Sequence, residues 1–313
     1  MIRLILRRLM MSAPLVFVVT GLSFVLLGLL PGNAAQSILG QNATPESIAA
    51  LEREMGLDQP LLVQYWNWVS GVLRGDLGNS LLNHQEVFPA LMGRLGVTLS
   101  LLIGALTFAV VFGVLIGVLT ARSRGFWSRA VDVLAVGGLA IPSFWLALLL
   151  ILFFAVQLRI FPATGYVRPE QSITSWMWFL ALPVVSLGVH MVTSIAKQTR
   201  DAMRDSLSSP YVLGLRANGI SEKKIVFRHA LRNAAIPIVT IVGLLFVGSL
   251  TGAVVAESIF VLPGLGTAVV AATSHRDIPM IQGAALLLTL IVVFVNVVVD
   301  LAYGWLNPKV RTR

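Results

Sequence analysis

Residues Val97–Thr120 read VTLSLLIGALTFAVVFGVLIGVLT, 24 positions with no charge, proline or side-chain amide. About 20 apolar residues in a helix cross the roughly 30 Å hydrocarbon core of a bilayer. This stretch is long enough to do so, and it is apolar on every face, which suits lipid and not water. Five more runs repeat the pattern: Leu9–Leu30, Val131–Val156, Trp178–Ala196, Ile236–Val255 and Ile281–Trp305. The chain of 313 residues is 57% hydrophobic and 12% charged, with a mean hydropathy of +0.86. A soluble domain carries about 25% charged residues, so soluble, disordered and fibrous classes are excluded. An all-α polytopic membrane protein with six spans is expected. The first run is too long for a signal peptide and has no cleavage site after it, so it is read as a span.

The basic residues set the orientation. Of 23 lysines and arginines, 17 fall at the N-terminus (Arg3, Arg7, Arg8), in the loop Ala121–Ala130, in the loop Lys197–Ala235 and in the tail (Lys309, Arg311, Arg313). The opposite side holds Arg53, Arg74, Arg94, Arg159, Arg168 and Arg276. By the positive-inside rule both termini and the Lys197–Ala235 loop are cytoplasmic. The net charge of +9 is therefore topology and not a nucleic-acid site. The organisation expected is a tip and first span (1–30), an outer segment (31–96), a five-helix core (97–305) containing the cytoplasmic loop 197–235, and a tail (306–313).

Both long connections carry helix signals. In the outer segment, Thr44-Pro45-Glu46 reads as an N-cap, a first-turn proline and a first-turn acid, with Ile48, Leu51 and Met55 on one face and Gly56 as the C-cap. Pro60 opens a second helix, stopped by Gly75, with Leu62, Tyr65, Trp66, Val69, Val72 and Leu73 on one face. It either lies at the outer membrane interface or packs on the mouth of the protein. In the cytoplasmic loop, Ser209-Pro210 starts a helix of about ten residues that ends at Gly219. Ser221 then starts another, running to Ala235 and into the fifth span. The short helix presents Tyr211, Val212 and Leu215 away from the membrane. That stripe is either a docking surface or a face folded back on the bundle.

This loop carries a family resemblance. Tyr211–Gly219 (YVLGLRANG), with Arg228–Ala234 (RHALRNA) and Ile236-Pro237, resembles the EAA loop of permease subunits of ABC importers, in the dipeptide/oligopeptide/nickel subfamily. Further matches cover the whole chain: Gly56–Leu61 (GLDQPL) with Gln64-Tyr65 and Trp68, Gly75–Ser80 (GDLGNS), Glu257–Phe260 (ESIF) with Pro263–Gly266 (PGLG), Arg276–Pro279 (RDIP), Gln282-Gly283, Val299–Leu301 and Asn307–Arg311. Each is weak alone, but together they stand in order and on the sides the charges assign. The glutamate naming the loop falls at Leu213, its alanines at Gly214 and Leu215, and Asn307 replaces a usual aspartate.

The resemblance implies a type I ABC importer permease in the bacterial cytoplasmic membrane. Ser209, Pro210, Tyr211, Val212, Leu215, Arg216, Ala217 and Gly219 would form the helix that docks in a partner ATPase and passes its closure to the spans. A second homologous permease would complete the pore, two ATP-binding-cassette subunits or domains would supply energy, and an extracytoplasmic binding protein would deliver substrate. Di- and oligopeptides are the expected cargo, with nickel chelates, glutathione or other small solutes as alternatives. The four lysines stand in no phosphate-binding loop, so ATP and magnesium are expected on the partners and this chain is not expected to be an enzyme.

Polar groups inside spans are functional candidates. Asp300 is read as a structural charge reaching a basic residue near the helix end, against a proton relay; Asp132 is read as capping the third span. His190 is read as satisfied by a neighbouring helix, and no partner lies at metal-ligand spacing; His84, His229 and His275 fall on different segments, so no metal site is expected. Ser143, Ser194 and Ser249 are candidates for lining the pathway, and Pro142 should kink the third span. Gly104, Gly113, Gly117, Gly243, Gly248 and Gly252 serve close helix packing or sliding surfaces. A self-sufficient secondary transporter would need internal repeats and broken midplane helices, and an intramembrane enzyme a nucleophile–base pair or metal motif; the sequence displays neither set.

Overall fold

The computed structural model describes residues 2–29, 34–39, 43–123, 133, 137 and 141–306. The described residues form eleven helical elements. They are α1 (Ile2–Leu29), α2 (Ala34–Leu39), α3 (Pro45–Glu54), α4 (Leu61–Leu73), α5 (Val87–Ala121), α6 (Ser143–Gln157), α7 (Ile173–Ser208), α8 (Pro210–Ala217), α9 (Glu222–Phe260), α10 (Leu265–His275) and α11 (Ile278–Leu306). Five of them, α1, α5, α7, α9 and α11, are long and apolar enough to cross a membrane. The 39 residues of α9 rise about 58 Å, nearly twice the hydrocarbon thickness, so its polar first turns extend beyond it.

The third predicted span is described only from Ile141 onward, and Asp132 lies outside the described residues. Pro142 does not kink a continuous helix as expected. It stands in extended geometry (φ −61°, ψ 136°) as the N-cap of α6, which passes into a π-helical stretch at Ile151–Gln157. Proline lacks an N–H and holds the residue before it away from helical geometry, so the helix restarts here.

The chain divides into two compact units, one of residues 98–262 with the segment from Val295, the other of Ile2–Val97 with Pro263–Phe294. Boundaries fall inside α5, between α9 and α10, and inside α11. In the first unit α7 and α9 lie along one another and α6 packs on both. Small residues set the approach of α5 to α7. A Cβ on Gly117 would meet Thr199 Cβ at 2.5 Å and the Ala196 carbonyl at 2.8 Å; one on Gly113 would meet Ile195 Cβ at 2.8 Å. Gly243 likewise abuts Val299, and Gly252 abuts Leu187, but beside Gly248 there is open space. The predicted loop Lys197–Ala235 is mostly helix. α7 continues to Ser208, and Met203, Val226, Ala230, Ala234 and Ile238 form a buried cluster with Val118 and Ala121. Arg204 donates to the carbonyls of Ala121 and Ser123 at 3.4 and 3.2 Å, satisfying acceptors at the end of α5 that have no helical partner.

In the second unit, the Thr44 side chain caps α3 by accepting from Ser47 N at 3.2 Å, and Gly56 takes φ +66° just past its end. The single apolar face expected for α4 divides in two. Tyr65 hydrogen-bonds Thr20 Oγ1 (2.9 Å) and the Phe17 carbonyl (3.1 Å) and meets Phe24 edge-on, while Val69 is buried. Leu62, Trp66 and Leu73 stay exposed. A helix packed on one neighbour covers one stripe only, so α4 both packs on α1 and keeps an apolar stripe free. Asp277, the residue before α11, is buried. It accepts from the Ser80 hydroxyl and from Leu81 N (3.1 Å), pinning the Gly75–Ser80 turn to the start of α11. Leu77, Val87, Leu91, Leu265, Ala284 and Leu286 pack around that junction.

Candidate functional site

The short helix α8 is set by its two ends. Ser209 precedes it in extended geometry (φ −70°, ψ 149°) and Pro210 takes the first helical position, where a missing N–H costs nothing. The Ser209 hydroxyl turns back to the Asp205 and Ser206 carbonyls at 3.1 and 2.6 Å, capping the end of α7 and not α8. At the other end Gly219 takes φ +72°. Ile220 N donates to Leu215 O (3.1 Å) and Gly219 N to Arg216 O (2.9 Å), the paired bonds of a Schellman turn. Arg216 Nε then donates to Glu222 Oε1 at 2.7 Å, and Arg122 beyond α5 lies 3.8 Å from the other oxygen. The Arg216 hydrogen bond holds the Glu222 carboxyl below its usual range and raises Arg216.

Of the two readings left open for the stripe of Tyr211, Val212 and Leu215, the face folded back on the bundle describes Val212 and Leu215. Val212 is fully buried and Leu215 half-buried, so these residues root α8 in the bundle. The Tyr211 hydroxyl bridges Ser206 Oγ (2.7 Å) and Asn233 Nδ2 (2.8 Å), tying α8 to α7 and α9. Leu213 is the outward apolar residue, 63% exposed, with Gly214, Arg216 and Ala217 exposed around it.

A second feature lies deeper in the same unit. A cavity of about 340 Å³ between α6, α7 and α9 is lined by Ser143 and Ser249, by His190, and by Leu187, Gly248 and Gly252 among others. Two of the three candidate pathway serines thus meet one space. Ser194 is not in its lining, and its hydroxyl donates to the His190 carbonyl at 3.3 Å. The described neighbouring helices give His190 no hydrogen-bond partner. Its residue is exposed and its ring has no hydrogen bond or ion pair among the described residues. Asp300 is half-buried late in α11 and is not without a partner.

A buried carboxylate lies outside the set of candidates drawn from sequence. Glu257 is 0% exposed in the last turn of α9 and accepts from Thr98 Oγ1 at 2.6 Å. The signal was its setting between Ala256 and Ile259-Phe260, an apolar continuation that carries the helix five residues past Val255. No group of three metal-ligating side chains occurs among the described residues.

These long apolar helices, joined by a short helix outside the spans, define a multi-pass membrane protein. The family model described as the binding-protein-dependent transport system inner membrane component matches residues 113–312, and that for the N-terminal part of such components matches residues 1–102. The chain belongs to this family, as a permease of the peptide/oligopeptide kind of ABC importer. It is 39% identical over 312 residues to a Brucella abortus protein named as a peptide transport system permease, covering 99% of both chains. The glutathione transport system permease protein GsiC of Salmonella choleraesuis is 38% identical over 312 residues, again with 99% of both covered. The solved inward-facing MetNI methionine ABC transporter is similar in fold, with a TM-score of 0.55 at 19% identity over 70% of this chain and 97% of that one.

Proposed function

We propose that the chain is one half of the pore of an ATP-driven importer of short peptides in a bacterial cytoplasmic membrane, with both termini cytoplasmic. The observation that carries this reading is α8. It is held by Val212 and the Tyr211 hydroxyl, closed by the Gly219 turn, and offers Leu213 beyond the polar end of the spans. A rigid exposed helix tied to α7 and α9 is suited to receive a partner's movement and pass it into the membrane. Ser209, Pro210, Tyr211, Val212, Leu215, Arg216, Ala217 and Gly219 build that device. A cleft in an ATPase subunit receives it, ATP and magnesium stay on that subunit, and a homologous permease and an extracytoplasmic binding protein complete the machine. Ser143 and Ser249 line the pathway, and Asp300 serves structure. The near-equal similarity to relatives named for peptides and for glutathione supports small peptide-like cargo, glutathione included.

The test is purification of the tagged chain from native membranes in mild detergent, with identification of what accompanies it. Recovery of a second permease and ATPase chains, and ATP-dependent peptide uptake by the reconstituted complex, is the expected result. A chain that purifies alone and transports without ATP overturns the reading.

A further inference from the structure

We infer that His190 is the hydrogen-bond donor that receives the carboxylate of the passing solute, and that the cavity it borders selects for solutes bearing one. The inference rests on the importer reading above. His190 sits in the apolar part of α7, seven residues before Lys197, which is about 10 Å of helix. A polar ring at that depth is disfavoured against lipid and belongs where water or solute passes. Its ring is uncommitted among the described residues, and it borders the 340 Å³ cavity together with Ser143 and Ser249. That volume is in the range of small-molecule sites.

Among the described residues that line the cavity there is no aspartate, glutamate, lysine or arginine, and His190 is the one ionisable side chain. An imidazole offers at least one N–H in either protonation state. The Ser249 hydroxyl already donates to the Phe246 carbonyl at 2.6 Å. The N-terminal end of α6 opens on the cavity at Pro142 and Ser143, and a helix start favours negative charge. With no carboxylate among the described lining residues, the cavity offers a cation no counter-charge there. The space beside Gly248 keeps the cavity open on the α9 side.

The experiment uses the whole reconstituted complex with its binding protein and ATP, and compares labelled trialanine with trialanine amide. Uptake is measured for wild type, His190→Leu and His190→Gln and expressed per assembled complex. The binding protein is the same in every arm, so its own preference cancels when the acid-to-amide ratio is compared between variants. We expect His190→Leu to lower that ratio about tenfold, roughly the loss of one hydrogen bond to a charged group. His190→Gln, which keeps an N–H donor, should retain most of the ratio. An unchanged ratio in His190→Leu, or a ratio lost equally in both variants, overturns the inference. If wild type takes up neither peptide with ATP, the importer reading itself has failed.

Discussion

Arg216 Nε donates to Glu222 Oε1 across 2.7 Å, and between these residues the chain reverses from α8 into α9 through Gly219 at φ +72°. The bond spans the turn that fixes the angle of the exposed helix. Arg122 approaches the same carboxylate from the end of α5, so three elements meet at one exposed acid. Exposed pairs are weak singly. Here the pair closes a turn whose backbone is already fixed by two hydrogen bonds, so its effect is on the orientation of α8.

Glu222 has its folded-state pKa lowered by the Arg216 hydrogen bond. A lowered carboxylate stabilises above its unfolded value and loses that contribution as pH falls through the folded one. Amide protection of residues 218–222, corrected for intrinsic exchange, should therefore stay constant from pH 8 to about 5 and drop only in more acidic solution. Raising the salt should weaken it at neutral pH. In Glu222→Gln both dependences should vanish. A wild-type turn whose protection ignores both acid and salt would falsify the bridge.

Gly219→Ala places a Cβ in a left-handed conformation that disfavours it by about 1 kcal/mol. Membrane insertion should be normal while uptake falls several-fold, because the turn and not the span is affected. Transport assays beside quantitative blots of the membrane fraction decide this, and unaltered uptake counts against the geometry given to α8.

Thr98→Val keeps the shape of the side chain and removes the hydroxyl that donates to the buried Glu257. Leaving a buried acceptor short of a donor costs about 1–3 kcal/mol, so the midpoint of unfolding in detergent should fall clearly, and Thr98→Ser should restore most of it. If both variants unfold with wild type, the Glu257 carboxylate does not depend on Thr98.

The glycines expected to act alike separate on contact. Gly117→Ala drives a methyl into Thr199 and the Ala196 backbone, whereas Gly248→Ala adds one to open space. Folded yield should drop sharply for the first and remain unchanged or rise for the second, read as the monodisperse fraction after size-exclusion chromatography. Equal yields would contradict the packing of α5 on α7.

Much of this was legible in sequence. Length and apolarity marked the spans, and Thr44-Pro45, Ser209-Pro210 and Gly219 marked helix ends, because capping chemistry is local. What escaped reading depends on neighbours distant in the chain. Val212 and Leu213 are adjacent and both apolar, and only the position of α8 on the bundle makes one buried and the other exposed. Glu257 looked like a residue outside the membrane until Thr98, 159 positions earlier, supplied a buried donor. Whether a histidine in a span has a partner is equally a question of packing, and sequence alone does not place His190 beside a cavity.

The most direct test of the central claim places a single photo-reactive side chain at Leu213 in native membranes and identifies the cross-linked protein by mass spectrometry. The chain has no cysteine, so a Leu213→Cys variant carries the label at one site only. The account predicts an adduct with an ATP-binding-cassette subunit, lost when the label is moved to the buried Val212. A Leu213 label that reacts with lipid alone, while the complex still transports with ATP, would contradict it.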